Sequence, residues 1–345
     1  MKLFSNDLGI DLGTATTQIY VDGKGIVLRE PSVIAMDKNT GAVLQVGPAA
    51  RNMLGRTPGN VIALRPLRDG VISDHEMTVK MLRQFFRTVS GVSIFNPKPR
   101  VVISVPSAVT EVEERTIINA AMDAGARRVY LIEEPLAAAL GAGLDLNGPS
   151  GHMVIDVGCG TTDIAVLSMN GVALSSSVKV AGAAFDEAIG LYIRRKCGII
   201  VGQQTAEDIK MQIGGLYPRP TEATMTVRGR DARAGTPREA EIHASELLEP
   251  LTRATRPILD RILSILEETG PELAGDIAEN GITLTGGGSQ IWGMDYLIAE
   301  RTGIPCALAD SPESCVAYGC GKSLAWMNHM TEGPINIARK RLMRS

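Results

Sequence analysis

The stretch IDVGCGTTD occupies residues 155–163. An aspartate stands at each end, with two glycines, a cysteine and two threonines between them. A related stretch, DLGTATT, occupies residues 11–17, so that Asp11 and Asp156 lie 145 residues apart at the head of similar turns. Apolar residues flank both: LGI and IYV around the first, HMVI and IAVL around the second. Each segment is expected to be two strands joined by a Gly-Thr turn. Successive backbone N–H groups in such a turn form a concavity for anions, phosphates above all. Glycine lets the backbone come close and the hydroxyls add donors. A carboxylate at the mouth of the cradle suits Mg2+, directly or through retained waters. Either turn alone reads equally well as an ordinary hairpin. Two of them, each led by aspartate, are suited to clamp a polyphosphate from both sides. Cys159 reads as a reactive thiol, a metal ligand or a small side chain in a tight place.

Between and beyond the two turns, strand and helix patterns alternate. The strand PRVVISVP ends at Pro106 and feeds a helix opened by a Thr110/Glu113 capping box and stopped by Gly125. RVYLI is the next strand, and PLAAALGAG the next helix, with Pro135 at its first position. Residues 74–89 have a helical apolar period, and residues 31–47 read as a hairpin about Asn39, Thr40 and Gly41. After the second turn come helices from Phe185 and from a Thr205 cap, then a strand-rich insertion over 223–244. A long helix over 245–269 follows, which Pro250 and Pro257 are expected to start, kink or divide. GITLTGGGSQIWGM is a strand, a triple-glycine turn and a helix start; CVAYGCGKSLAWM is a helix weakened by Gly319 and Gly321. This alternation predicts an α/β protein with a mixed sheet in each of two similar lobes.

Composition narrows the function. The chain has 345 residues, 44% of them hydrophobic, and a net charge of −3, which argues against a protein that coats nucleic acid. Five cysteines without a CxxC pair and four scattered histidines predict reduced thiols, not a zinc site or a disulfide framework. The start MKLFSND is too short and polar for a signal peptide, and no apolar run has spanning length, so a soluble protein, or one lying on a membrane, is expected. No GxxxxGK[ST] occurs, nor GxGxxG after the first strand.

The three motifs DLGTATT, IDVGCGTTD and LTGGGS resemble the phosphate-1, phosphate-2 and adenosine motifs of the actin, sugar-kinase and heat-shock ATPase superfamily. Together with RPLRDGVI, LIEEPLAAALGAG, FDEAI and TAEDIK, they resemble the MreB/Mbl family of bacterial actins, in order, from about residue 7 to about residue 325. The resemblance implies an actin-like ATPase fold with nucleotide in the cleft between the lobes. Its expected division is 1–34, 78–146 and 318–345 (IA), 35–77 (IB), 147–184 and 246–317 (IIA), and 185–245 (IIB). It implies that Thr14, Ala15 and Thr16, with Gly160, Thr161 and Thr162, meet the phosphates of ATP or ADP, and that Asp11 and Asp156 hold the Mg2+ shell through water. Glu207, Asp208, Ile209 and Lys210 fall at the ribose and adenine, and Gly286, Gly287, Gly288, Ser289 and Gln290 near the adenosine and α-phosphate. Read without the family, Glu207 and Lys210 are a surface ion pair. Glu134, with Thr161, is implied to place the attacking water; read alone, it is a helix N-terminal acid favoured by the dipole. Thr16 stands where the family usually has Asn, and Cys159 where it usually has Gly.

The resemblance further implies head-to-tail, paired filaments on the inner face of the cytoplasmic membrane, slow Mg-ATP hydrolysis that regulates them, and work with the cell-wall elongation machinery for rod shape. With only Leu3 and Phe4 apolar in the leader, no long anchoring helix is expected. Ile94 and Phe95 sit in a Gly/Pro-bounded loop where the family inserts into lipid; a pair of buried loop anchors is the alternative. The basic tail residues Arg339, Lys340, Arg341 and Arg344 fit attraction to anionic lipid or a solvated terminus. No nucleic-acid partner is expected. The rival reading is a small-molecule, sugar-type kinase of the same superfamily.

Overall fold

The computed structural model describes residues 7–90, 98–329 and 335–336. Two sheets carry the molecule. The first runs in the spatial order Ile335–Asn336, Arg128–Glu133, Arg100–Val105, Leu8–Leu12, Thr16–Val21, Gly25–Pro31. The second runs Gly171–Val178, Thr162–Ser168, His152–Val157, Ile282–Thr285, Cys306–Leu308. Each contains an antiparallel three-strand meander whose first strand pairs in parallel with a later strand, so the lobes share one plan. Parallel strands buried on both faces read as continuous apolar runs, and Val101, Val102, Ile103 and Val105 are all fully buried.

Lobe I packs its sheet against the helices His75–Ser90 and Glu111–Ala124, with Phe85, Leu82 and Ile117 in the core. The predicted capping box is present: Thr110 Oγ1 accepts from the Glu113 N–H, and Glu113 Oε2 accepts from the Thr110 N–H at 2.8 Å. Lobe II packs on Gly182–Cys197, Gln203–Ile213 and Ala244–Glu268. A small sheet (Val43–Val46, Ile34–Asp37, Val61–Leu64) sits on lobe I, and another (Ile199–Ile200, Thr224–Asp231, Pro237–His243) on lobe II.

Helices Glu134–Ala142 and Cys315–Ser323 lie between the lobes, in a core that takes Val102 and Tyr130 from the first sheet and Val154 and Ala165 from the second. They cross at glycines. A Cβ on Gly319 would stand 1.7 Å from the Ala137 carbonyl oxygen, and one on Gly141 would stand 1.8 Å from that of Cys315. Gly319 therefore does more than weaken its helix: it lets two backbones touch.

Three local expectations need correction. Ala244–Glu268 is one helix of 25 residues with Pro250 and Pro257 inside it, so that neither proline starts or divides it. Each proline costs about 3 kcal/mol. Burial of Leu247, Leu251, Ile258, Leu259, Ile262 and Ile265 on that helix, at roughly 1.5–3 kcal/mol each, outweighs both. Pro135 is the second residue of its helix, because Glu134 is the first and Glu133 the cap. The helix expected from Thr205 starts at Gln203 after Gly202, so Thr205 caps nothing. Among the described residues no helix is long and apolar enough to cross a membrane. Ile94, Phe95 and the basic tail lie outside the described residues.

Candidate functional site

Both Gly-Thr turns open on one cleft of about 520 Å3 between the lobes. The flanking strands keep the same register in each lobe: Asp11 faces Gln18 across the first hairpin, and Asp156 faces Asp163 across the second. Thr14, Ala15 and Thr16 line one side and Gly158, Cys159, Gly160 and Thr161 the other. The two lobes nearly touch here. Within lobe I the Gly70 N–H donates to Thr14 Oγ1 at 3.0 Å, and from lobe II a Cβ on Gly160 would lie 2.8 Å from the Asp69 Cα and 3.0 Å from Thr14 Oγ1. Gly160 is thus a position of close approach that a side chain would prop open. Cys159 tolerates its Cβ, and burial pushes its thiol pKa up against the pull of Arg65 and Lys210. A thiol held protonated is a poor nucleophile or metal ligand, which leaves a small side chain in a tight place.

The floor is acidic. Asp11, Glu134 and Asp156 line it, and Asp163 lies fully buried behind. Burial first, then the Asp156 charge, lifts Asp11 to about 7; the Ser104 hydroxyl pulls the other way. Burial lifts Asp156 to about 7 as well, although Thr285 Oγ1 donates to its Oδ1 at 2.7 Å. Burial, followed by the charges of Asp163, Asp156 and Asp11, holds Glu134 well above the ordinary carboxylate range. Asp163 is raised to about 6 by burial even though the Ser107 N–H donates to Oδ1 at 2.8 Å and the Ser177 and Thr161 side chains pull the other way. Opposed carboxylates that burial resists ionising fit a hard cation with oxygen ligands. No group of three or more His, Cys, Asp and Glu side chains among the described residues is arranged to hold a metal. An ion between Asp11 and Asp156 would complete its shell with water and ligand oxygens, which is the habit of Mg2+.

The remaining walls come from two strips. Strand Ile282–Thr285 delivers Gly286, Gly287 and Gly288 flat against the second hairpin: a Cβ on Gly286 (φ 82°) would stand 2.3 Å from the Val157 carbonyl oxygen, and one on Gly288 2.5 Å from that of Gly158. Gln290 lines the cleft and its Nε2 donates to Glu313 Oε2 at 3.1 Å. Helix Gln203–Ile213 presents Glu207 and Lys210. Lys210 pairs with Asp186 at 2.8 Å and donates to the Gly182 carbonyl at 3.0 Å, so its partner is not Glu207. Glu207 instead receives Arg51 Nη2 at 2.8 Å from the opposite lobe.

Four expected residues do not face the cleft. Thr162 is fully buried and donates to the Val180 carbonyl at 2.7 Å; Ser289 is fully buried and donates to that of Gly286 at 2.7 Å. Ile209 belongs to the lobe II core, because the helix turns it away from Glu207 and Lys210, and half-buried Asp208 is not among the lining residues. Conversely, Gln18, Arg29, Gly70, Gly182, Met211, Gly214, Arg219, Trp292 and Glu313 line the cleft without a sequence reading that places them there. Gly182 and Gly214 carry a visible signal, as glycines at the ends of the two helices that flank the site; Gly70 lies in the RPLRDGVI motif, which gives it no role in the cleft, and Arg219 carries no signal.

The family model described as MreB/Mbl protein matches residues 5–332. The chain is 50% identical over 326 residues to the cell shape-determining protein MreB of Escherichia coli (strain K12), covering 93% of this chain and 94% of that one. It is 46% identical over 328 residues to the cell shape-determining protein Mbl of Bacillus subtilis (strain 168), covering 95% and 98%. MreB5 of Spiroplasma citri, bound to AMPPNP, superimposes with a TM-score of 0.89 at 39% identity, over 95% of this chain and 98% of that chain. The MamK double helical filament superimposes with a TM-score of 0.76 at 21% identity, over 94% and 99%, a likeness of fold. The architecture is the actin-like α/β fold, and the chain belongs to the MreB/Mbl family.

Proposed function

We propose that this chain is an actin-like, ATP-binding protein that polymerises head to tail into paired filaments on the inner face of the cytoplasmic membrane and directs wall synthesis for rod shape. One observation carries the reading: two aspartate-led Gly-Thr hairpins of matching register open on a single cleft, with a glycine strip along its side. The names of the MreB and Mbl relatives support the cell-shape role, and the AMPPNP and ADP bound to MreB5 support the nucleotide. The MamK filament supports assembly; a heterologous contact that does not close generates such polymers. The fourfold division into IA, IB, IIA and IIB belongs to the same proposal.

In this reading Thr14, Ala15, Thr16, Gly160 and Thr161 cradle the phosphates. Asp11 and Asp156 would hold Mg2+ through its waters, and the ion would neutralise charge on the terminal phosphates. Glu134, which lines the same cleft as Thr161, orients a water. A carboxyl that holds its proton in this environment is suited to positioning more than to proton abstraction, and phosphoryl transfer asks mainly for positioning. Turnover is slow and times the filament.

Sedimentation with ATP and anionic lipid vesicles tests the assembly. Pelleting that needs both polymerisable protein and nucleotide is expected; a protein that stays monomeric at every concentration and phosphorylates a small alcohol would show the kinase reading to be the right one. Glu134→Ala should keep ATP binding and lose phosphate release by roughly 100-fold, within the range for a positioned acid-base group. Wild-type release rates in that variant would remove Glu134 from the chemistry.

A further inference from the structure

One stretch of the cleft wall is built by neither hairpin. Met211, Gly214, Arg219, Ile291 and Trp292 line it. Close glycine contacts give its place relative to the acids: Gly288 lies against Gly158 of the second turn, Gly182 lies between Gly158 and Lys210, Gly214 lies against Lys210, and Gly215 lies against the Trp292 ring. Trp292 therefore stands at the end of the cleft reached by going from the phosphate turn past Lys210.

Its ring is held on every covered side. Its carbonyl accepts from the Leu216 N–H at 2.7 Å, and a Cβ on Gly215 would lie 3.2 Å from the indole Cδ1. The Arg219 guanidinium lies over the ring, 5.2 Å from its centroid, and is itself fixed by donation from Nη2 to the Gly214 carbonyl at 2.9 Å. Tyr296 packs at 6.4 Å between centroids, and Tyr217 stacks on Tyr296 at 5.5 Å. Arg219 covers one side of the ring; the indole, 37% exposed and lining the cleft with its orientation already fixed, leaves aromatic surface there for a ligand at little ordering cost.

We infer that Trp292 is the stacking wall for the base of the bound nucleotide. The inference rests on the nucleotide reading above and adds to it the residue that positions the base. Recognition there runs through stacking on the indole, which every base can make with its own π face. Arg219 is the positioning residue that keeps the indole in place.

The test uses the full-length chain with Mg-ATP, read by calorimetry and by tryptophan emission. The chain has two tryptophans, so Trp326→Phe leaves Trp292 as the sole reporter. Saturable change in its emission on adding ATP is expected. Trp292→Ala should weaken ATP about tenfold, the fold-change of about 1.4 kcal/mol, while Trp292→Phe should stay within about twofold because it keeps an aromatic face. Emission that ignores ATP at calorimetric saturation overturns the inference, as does Trp292→Ala binding ATP like the wild type. If Trp292→Ala does not fold, the emission experiment decides alone. A wild-type chain that binds no ATP would instead bring down the nucleotide reading, which the calorimetry separates from the failure of Trp292.

Discussion

Asp11 and Asp156 show how one residue type can serve two ends at once. Their carboxyls are lifted to about 7 by burial, with their mutual repulsion adding to Asp11. A folded-state pKa above the unfolded value of 3.8 means that the folded chain binds more protons between the two. Their contribution to stability is complete below about pH 4 and is lost as pH rises through about 7. In EDTA and without nucleotide, the Tm of the protein should therefore fall from about pH 5 to about pH 8. Asp156→Asn should flatten that fall, since it removes one acid and relieves the other. Thermal melts across this range decide it, and an identical slope in the variant would show that these acids do not set it. Both residues are legible in the sequence because hairpin pairing is local and each heads its own turn. Glu134 is legible only as a family position. Asp163 is visible as the second acid of IDVGCGTTD, but its burial behind Glu134 depends on the Ser107 loop of the other lobe, which no local pattern reports.

At the scale of elements, glycine has two opposite meanings, and the structure separates them. Gly190 lies in the helix Gly182–Cys197 with nothing within 4 Å of a built Cβ. Gly319 lies in the helix Cys315–Ser323, jammed against the backbone of Ala137. Gly190→Ala should stabilise the protein by up to about 1 kcal/mol through helix propensity. Gly319→Ala should destabilise it by about 1–3 kcal/mol, because one added methyl must push the two crossing helices apart. Denaturant melts of both variants check the pair; equal effects would mean that the crossing is softer than the close contact implies. From sequence alone both residues look like helix weakeners, since propensity sees only the chain next door. The same limit explains the long helix. Pro250 and Pro257 argue locally for a break, and the apolar stripe that overrides them acts only once the lobe II sheet is there to receive it. The hairpins and the Thr110 box are legible because everything that makes them lies within a few residues.

The whole molecule is two lobes that meet across the cleft through contacts between distant segments of the chain. Arg51 reaches Glu207 across 156 residues of sequence, and Arg29 reaches Glu313 across 284. Neither pair is legible in the sequence, because each partner is an ordinary surface charge until the lobes face one another. Arg51 ends the short helix Pro48–Arg51 on the small sheet of lobe I, and Glu207 lines the cleft from lobe II. The pair at 2.8 Å is therefore a clasp over the opening, and it occupies a carboxylate that the resemblance places at the ribose. Both side chains are partly exposed, so the clasp is worth about 1 kcal/mol or less. That sets the expected size of its effect: Arg51→Ala should speed release of a fluorescent ADP analogue by up to about fivefold, with the association rate little changed. Arg51→Lys keeps the charge but not the planar fork and should fall between. Raising salt should speed the wild type toward the Arg51→Ala rate while leaving the variant nearly unmoved, since only the wild type has this pair to screen. Stopped-flow release at two ionic strengths measures all of this, and a salt response that Arg51→Ala shares in full would mean that the lobes are held closed by something other than the clasp.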